Sequence, residues 1–448
     1  MSLSTQPYKG ARDFYPEDKR LQKYMFSKMR EICERFGYEE YDAPILEPVE
    51  LYLAKSNQEM VNDETYLFQD RGERTVVIRP EMTPTVSRMV AARRQELPYP
   101  MRLYSIPNLW RYERPQRGRL REHWQLNVDI FGVDGVAADH EIIVVADQIL
   151  KSYGAKHGMY TILLNSRTLM NELFGSYLGL DDTQKNTLIR LIDRIKKMEY
   201  AIFTAQADAI LTPSQRDAGK LDVLLGLLKA QKLEDLPSDV QNHPSVLHLR
   251  ELIGMLESSR VSNYRFDITL MRGFDYYTDI VFEVFDNHPD NNRSMFGGGR
   301  YNGLVGLFGV EPVATAGFGM GDVTLQNFLE SHGLLPQVHP ETDAYVVLVG
   351  DNVYEKAQRV LAELREMGVN LAVDTTGRKL DKQIKTAVKK GLRYAIFIGE
   401  AELSSGQFKL RNLVDGSEES HGLQRIVSIV KDRRRIGDAP VDTDEEEL

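Results

Sequence analysis

Cysteine is nearly missing from this chain: Cys33 is the only one in 448 residues. No intramolecular disulfide can form, and no zinc cluster built on cysteines. Long apolar runs are missing too, so nothing is long enough to span a bilayer. The first residues, MSLSTQPYKGARDFYPEDKR, lack the apolar core of a signal peptide. A cytoplasmic protein with no membrane partner is expected. There is no excess of positive charge: 56 Lys and Arg stand against 66 Asp and Glu, for a net charge of −10. That balance excludes a generally basic nucleic-acid binder, and any polynucleotide must be held by local patches. No GxxxxGK[ST] occurs, which removes the P-loop ATPases. No low-complexity segment or solenoid repeat stands out. What is present is an ordinary globular composition, 42% apolar and 27% charged, on a chain long enough for two or three domains.

Two dense motifs lie about 150 residues apart. The first, residues 111–132, reads RYERPQRGRLREHWQLNVDIFG and holds five arginines in eleven residues: Arg111, Arg114, Arg117, Arg119 and Arg121. Guanidinium groups stay charged and offer forked donors that suit phosphate. Pro115 and Gly118 make this segment a loop. After it, Gln125, Asn127 and Asp129 alternate with Leu126, Val128 and Ile130, so a strand with one polar and one apolar face is expected. Such a polar face serves either a solvated strand or a pocket for a small polar ligand. The second motif begins at Arg272 and reads RGFDYYTDIVFE; GGGRYNG follows at 297–303. An arginine buried among tyrosines is costly unless an anion pairs with it. Consecutive glycines allow a close backbone approach, to a ligand or within a turn.

The remaining pattern sets the domains. Leu21, Met25, Met29 and Ile32 recur at helical spacing over 18–36, and Gly37 ends the run. Pro44 and Pro48 keep the following extended segment out of a sheet centre. Thr83-Pro84 starts a helix. Helical runs dominate about 165–262, an insertion within a larger domain spanning 1–330. A linker at 331–342 leads to strand, helix, strand, helix, strand over 343–433, a small α/β domain. The acidic tail 434–448 is expected to be disordered.

The first motif resembles motif 2 of class II aminoacyl-tRNA synthetases. The second, with GGGRYNG, resembles a block particular to the histidyl-tRNA synthetase family. The resemblance covers nearly the whole chain, and the segment around Pro44 is similar to motif 1, the dimer interface of that class. It implies a class II antiparallel sheet flanked by helices, an α+β catalytic domain with a helical insertion, plus an α/β anticodon-binding domain. It implies a homodimer that uses ATP with Mg2+, L-histidine and tRNA(His). By the same matching, Arg111 and Arg272 meet the α-phosphate, Glu113 the adenine end and Arg119 the outer phosphates. Glu81 and Thr83 of RPEMT, with Gln125, hold the α-ammonium group. Asp129 and the tyrosines Tyr276 and Tyr277 read the imidazole, and Tyr301 closes the pocket. Neutral imidazole has one donor and one acceptor nitrogen, which an acid and a hydroxyl answer.

One departure stands out. Class II motif 3 ends in Glu-Arg at a helix start, but here Val323 and Thr324 occupy those places after Gly317, Gly319 and Gly321. Arg117 or Arg119 is expected to compensate. In the C-terminal domain Leu380, Ile384 and Ala387 form an expected apolar stripe, and Lys382, Lys385 and Lys389 a basic one. The basic stripe is either a solvated face or a phosphate tether for tRNA. The altered motif 3 also fits a non-catalytic relative, the histidine-binding regulatory subunit of ATP phosphoribosyltransferase. The intact RGFDYY block and the C-terminal domain oppose that reading. No HIGH-like or KMSKS-like motif of a class I synthetase occurs.

Overall fold

A computed structural model describes residues 3–53, 64–271, 277–291 and 293–437. Arg272 and Tyr276 therefore lie outside the described residues. The chain divides into two compact units, residues 1–13 with 23–335 and residues 14–22 with 336–448.

The first unit is built on a sheet of nine strands among the described residues. Its order is Glu39–Glu40, Met101–Ser105, Glu122–Phe131, Thr315–Gly321, Ser294–Arg300, Ile280–Asp286, Tyr160–Ser166 and Tyr264–Phe266, with Asn108–Trp110 paired to the first residues of Glu122–Phe131. The six inner strands of that order pair antiparallel. Glu39–Glu40 and Tyr264–Phe266 add a short parallel strand at either edge. Alternation in Glu122–Phe131 works as its sequence predicts. Leu126, Val128 and Ile130 are at most 1% exposed, each burial contributing about 1.5–3 kcal/mol. Helix Val136–Ser152 packs on this sheet and buries Ile142, Ile143, Val145 and Ile149. The other face keeps Gln125, Asn127 and Asp129, which form the floor of the site.

Helix Pro16–Arg35 buries Met25, Met29 and Ile32 and ends before Gly37, whose φ is +77°. The proline-bearing segment stays at edges: Leu46–Pro48 borders a three-stranded sheet with Thr75–Ile78 and Tyr66–Gln69. Between Tyr160–Ser166 and Tyr264–Phe266 the chain is helical. Asp182–Ile192 opens on a capping box of Asp181 and Gln184. The run DDTQKNTLIRLIDRIKKM does not continue as one helix. It stops at Ile192, and a tight turn at Ile195–Lys197 follows.

The second unit holds a sheet ordered Leu371–Val373, Ala344–Val349, Tyr394–Gly399, Phe408–Asn412, Glu418–His421. The first three strands are parallel and enclose Val346, Ile396 and Ile398 in an apolar core with Leu361 and Leu364 of helix Val353–Glu366. The antiparallel hairpin that completes the sheet was not foreseen, because Glu418–His421 is polar and carries no apolar alternation. Helix Leu380–Lys389 differs from its expected stripe: Leu380 is 41% exposed, and Gln383 is buried in its place. Gln383 exchanges hydrogen bonds with the Leu348 backbone at 3.0 and 3.1 Å, so an amide rather than an apolar group anchors the helix. The last helix, Leu423–Gly437, runs through the expected start of the tail; residues 438–448 lie outside the described residues.

Candidate active site

A cavity of about 1220 Å3 opens in the first unit. Its wall includes the arginine loop. The backbone N–H of Arg111 donates to the Arg121 carbonyl at 2.8 Å and closes the loop's base. Gln116 and Arg119 bridge its tip around Gly118, where φ is +78°. Arg111 directs its Nε to the Pro80 carbonyl at 2.9 Å. Arg119 Nε lies 3.4 Å from Glu113 Oε2. Arg111, Glu113, Arg117 and Arg119 all line the cavity, as does Gln125. The other two arginines of the loop do not. Arg114 is exposed, and Arg121 lies over the Tyr112 ring at 4.1 Å and donates to the Tyr8 hydroxyl at 3.1 Å. His123 also lines the cavity. Burial, with Arg111 and Arg12 nearby, pushes its imidazole down to about 3, so it is neutral at physiological pH.

Along the same strand face burial deepens, and an acid stands in place of the arginines. Gln125 Nε2 donates to Asn127 Oδ1 at 2.7 Å. Asp129 is 4% exposed and accepts a hydrogen bond from the Tyr301 hydroxyl. Burial raises its carboxyl to about 7, and the Tyr301 bond opposes that rise. Tyr277 stands beside this pair, its ring centroid 6.4 Å from that of Tyr301. The Tyr41 hydroxyl is buried, and its ionisation is pushed well up by burial and then by the Asp129 charge. Glu81 follows the carbonyl that fixes Arg111. Its carboxyl is raised by burial, with Arg111 pulling the other way. Thr83 begins helix Thr83–Ala92, and its carbonyl accepts from Ser87 at 2.8 Å.

Glycines make room for the polar floor. A Cβ at Gly317 would sit 2.2 Å from Asp129 Oδ1, and one at Gly319 would sit 2.5 Å from Gln125 Nε2. Gly297, Gly298 and Gly299 lie equally close to the backbones of their neighbours. In GGGRYNG the alternation sends Tyr301 toward Asp129 and Arg300 elsewhere. Arg300, 4% exposed, reaches Asp139 at 2.6 Å and the Val133 and Gly135 carbonyls at 3.0 and 2.7 Å. Its role is to tie sheet to helix. Burial raises Asp139 to about 6, against the pull of Arg300. At the altered motif 3, Val323 and Thr324 line the cavity, and the Thr324 hydroxyl donates to the Met295 carbonyl at 2.9 Å. Asp322 beside them is buried, accepting from Arg12 at 2.7 Å and from the Trp124 N–H at 3.0 Å.

The model of the histidyl-tRNA synthetase family matches residues 10–321, and that of the anticodon-binding domain matches 343–433. The chain belongs to the histidyl-tRNA synthetase family. The histidine–tRNA ligase of Leptospira biflexa is 39% identical over 431 residues, covering 96% of this chain and 98% of the relative. That of Thermococcus kodakarensis is 35% identical over 430 residues, 94% and 96% of the two chains. The crystal structure of histidyl-tRNA synthetase from Nostoc sp. PCC 7120 aligns with a TM-score of 0.81 over 96% of this chain and 100% of that one; at 23% identity it speaks for the fold alone. The fold is thus that of a class II synthetase, and the family is one of aminoacyl-tRNA ligases.

In this histidyl-tRNA synthetase family member the structure gathers Arg111, Glu113, Arg119 and Gln125 at one cavity, and Asp129, Tyr277 and Tyr301 beside one another further along the strand that carries Gln125. Met271, the last described residue before Arg272, lines the cavity. Lys382, Lys385 and Lys389 are exposed in the second unit. Sequence reading missed His123, Arg293, Lys196 and Lys197, all of which line the cavity. His123 could have been found from its place on the alternating strand. The other three carry no local signal.

Proposed function

We propose that this synthetase activates L-histidine with ATP and then charges tRNA(His). In step one the histidine carboxylate attacks the α-phosphorus. A new P–O bond forms, the α–β bridging P–O bond breaks, and pyrophosphate leaves with those electrons. In step two the 3′-terminal hydroxyl of the tRNA attacks the carbonyl carbon of histidyl-adenylate, and AMP departs. The observation that carries this reading is the junction at Gln125. A cationic cavity suited to a triphosphate meets a buried carboxylate–hydroxyl pair suited to an imidazole.

Each residue's part is carried over from the family's pattern. Arg111 and Arg272 neutralise charge on the α-phosphate, Arg119 meets the outer phosphates and Glu113 the adenine end. Glu81, Thr83 and Gln125 hold the α-ammonium. Asp129, Tyr276 and Tyr277 read the imidazole, and Tyr301 closes over it while fixing Asp129. A neutral His123 adds no charge to the site. Among the described residues no cluster of three or more His, Cys, Asp or Glu could hold a metal by itself. Of the wall carboxylates, Glu283 would be the one to help hold a Mg2+ brought in with the nucleotide. When bound, Mg2+ supplies further neutralisation of the phosphate charge.

The catalytic region is assigned to 1–330 with its insertion at 165–262, and anticodon binding to 343–433 after the linker 331–342. Exposed Lys382, Lys385 and Lys389 are assigned to tRNA phosphates. Homodimerisation through the segment around Pro44 is supported by exposed Ile45, Leu46 and Phe68. Work in the cytoplasm belongs to the same proposal; among the described residues no helix is long and apolar enough to cross a membrane. The altered motif 3 favours the regulatory-subunit alternative, and the anticodon-binding match over 343–433 weighs against it. ATP–pyrophosphate exchange with each amino acid in turn tests the proposal. Exchange with histidine alone is expected; histidine binding without any exchange would favour the regulator.

A further inference from the structure

We propose that Arg293 grips the outer phosphates of ATP, taking the work that an arginine at position 324 would do; this rests on the nucleotide reading above. Among the described residues the cavity wall carries six cations, Arg111, Arg117, Arg119, Arg293, Lys196 and Lys197, against Glu113, Asp193 and Glu283. Two of the cations are already paired, Arg119 with Glu113 at 3.4 Å and Lys196 with Asp267 at 3.1 Å. Arg293 has no carboxylate within 4.0 Å among the described residues; the one hydrogen bond its guanidinium makes there runs from Nη1 to the Arg117 carbonyl, while its backbone carbonyl accepts from the Asp286 N–H. That bond fixes the guanidinium against the tip of the arginine loop and leaves its other nitrogens for a ligand. Gly118 permits the approach, since a Cβ there would stand 2.8 Å from the same nitrogen.

The place is also right. Arg293 precedes Ser294 and Met295 on the cavity wall, and the Met295 carbonyl accepts the Thr324 hydroxyl at 2.9 Å. The short Thr324 side chain therefore lies within two residues' reach of Arg293. A cation held in place yet unneutralised is a preorganised anion site. Arg117, the other expected substitute, has Nη1 turned to the Asp290 carbonyl at 3.4 Å.

Direct binding of ATP and of AMP to the full chain, measured by calorimetry, is the test. Arg293→Gln keeps a donor for the Arg117 carbonyl but removes the charge. It is expected to weaken ATP at least tenfold, the loss of one charge-assisted hydrogen bond, and to leave AMP and histidine within twofold. Adding Thr324→Arg to Arg293→Gln should recover most of the ATP affinity. Unchanged ATP affinity in Arg293→Gln, or equal losses for ATP and AMP, overturns the proposal. Wild-type protein that binds ATP but exchanges no pyrophosphate would defeat the functional reading while leaving this one standing; wild type that binds no ATP would defeat both.

Discussion

At the buried end of the site Asp129 is 4% exposed, while at the open end the Arg119 side chain is 64% exposed. The first end is closed by a tyrosine and lined by glycines without room for a methyl group; the second is an open cavity ringed by cations. The difference follows what each end must hold. A neutral imidazole offers only hydrogen bonds, which discriminate when the partners are dry and would be left unpaired by the wrong ligand. A triphosphate brings several charges, which solvent-exposed cations can meet without the cost of full desolvation. Selectivity is therefore concentrated where the protein is rigid, and charge neutralisation where it is open.

The comparison can be broken most sharply at the open end. Arg111→Ala is expected to lower kcat for pyrophosphate exchange by about 10²–10³, the loss typical of one preorganised charge-stabilising donor, with histidine binding retained. Gly317→Ala comes next. Its Cβ would meet Asp129 Oδ1 at 2.2 Å and the Val128 carbonyl at 2.6 Å, so it should cost about 1–3 kcal/mol in thermal unfolding and displace the histidine acceptor. Asp129 makes the buried end pH-sensitive. Its native carboxyl holds a proton up to about 7, whereas the unfolded group releases it near 3.8. The unfolded state thus binds fewer protons between those values, and stability falls as pH rises through the window. Asp129→Asn should lack this loss and gain Tm relative to wild type at pH 8 compared with pH 5. In the wild type, kcat/KM for histidine should rise with pH through about 7 as the acceptor ionises. The smallest effect is expected from alanine at Lys382, Lys385 and Lys389. Each should reduce the salt slope of tRNA binding by about 1 without changing pyrophosphate exchange.

How much of this was legible varied with the range of the contacts. The polar face of Gln125, Asn127 and Asp129 follows from a period of two within one strand, and the arginine loop from its own proline and glycine. Tyr301 could be placed by motif but not joined to Asp129, because 172 residues separate them and only sheet pairing brings them together. Lys196 and Lys197 were hidden for a different reason. The helix pattern continues through them, and only the break after Ile192 turns them to the cavity. Arg293 sits in a polar run, NHPDNNRS, with no periodicity. On helix Leu380–Lys389 the spacing alone could not tell that Gln383, bonded to the Leu348 backbone, would be the buried anchor and Leu380 would face solvent.

The division between the two ends is tested most directly by exchange kinetics of Asp129→Asn with histidine and ATP varied independently. The account predicts that KM for histidine rises at least tenfold while KM for ATP stays within twofold. A histidine KM that does not move, or two constants that rise together, would contradict it.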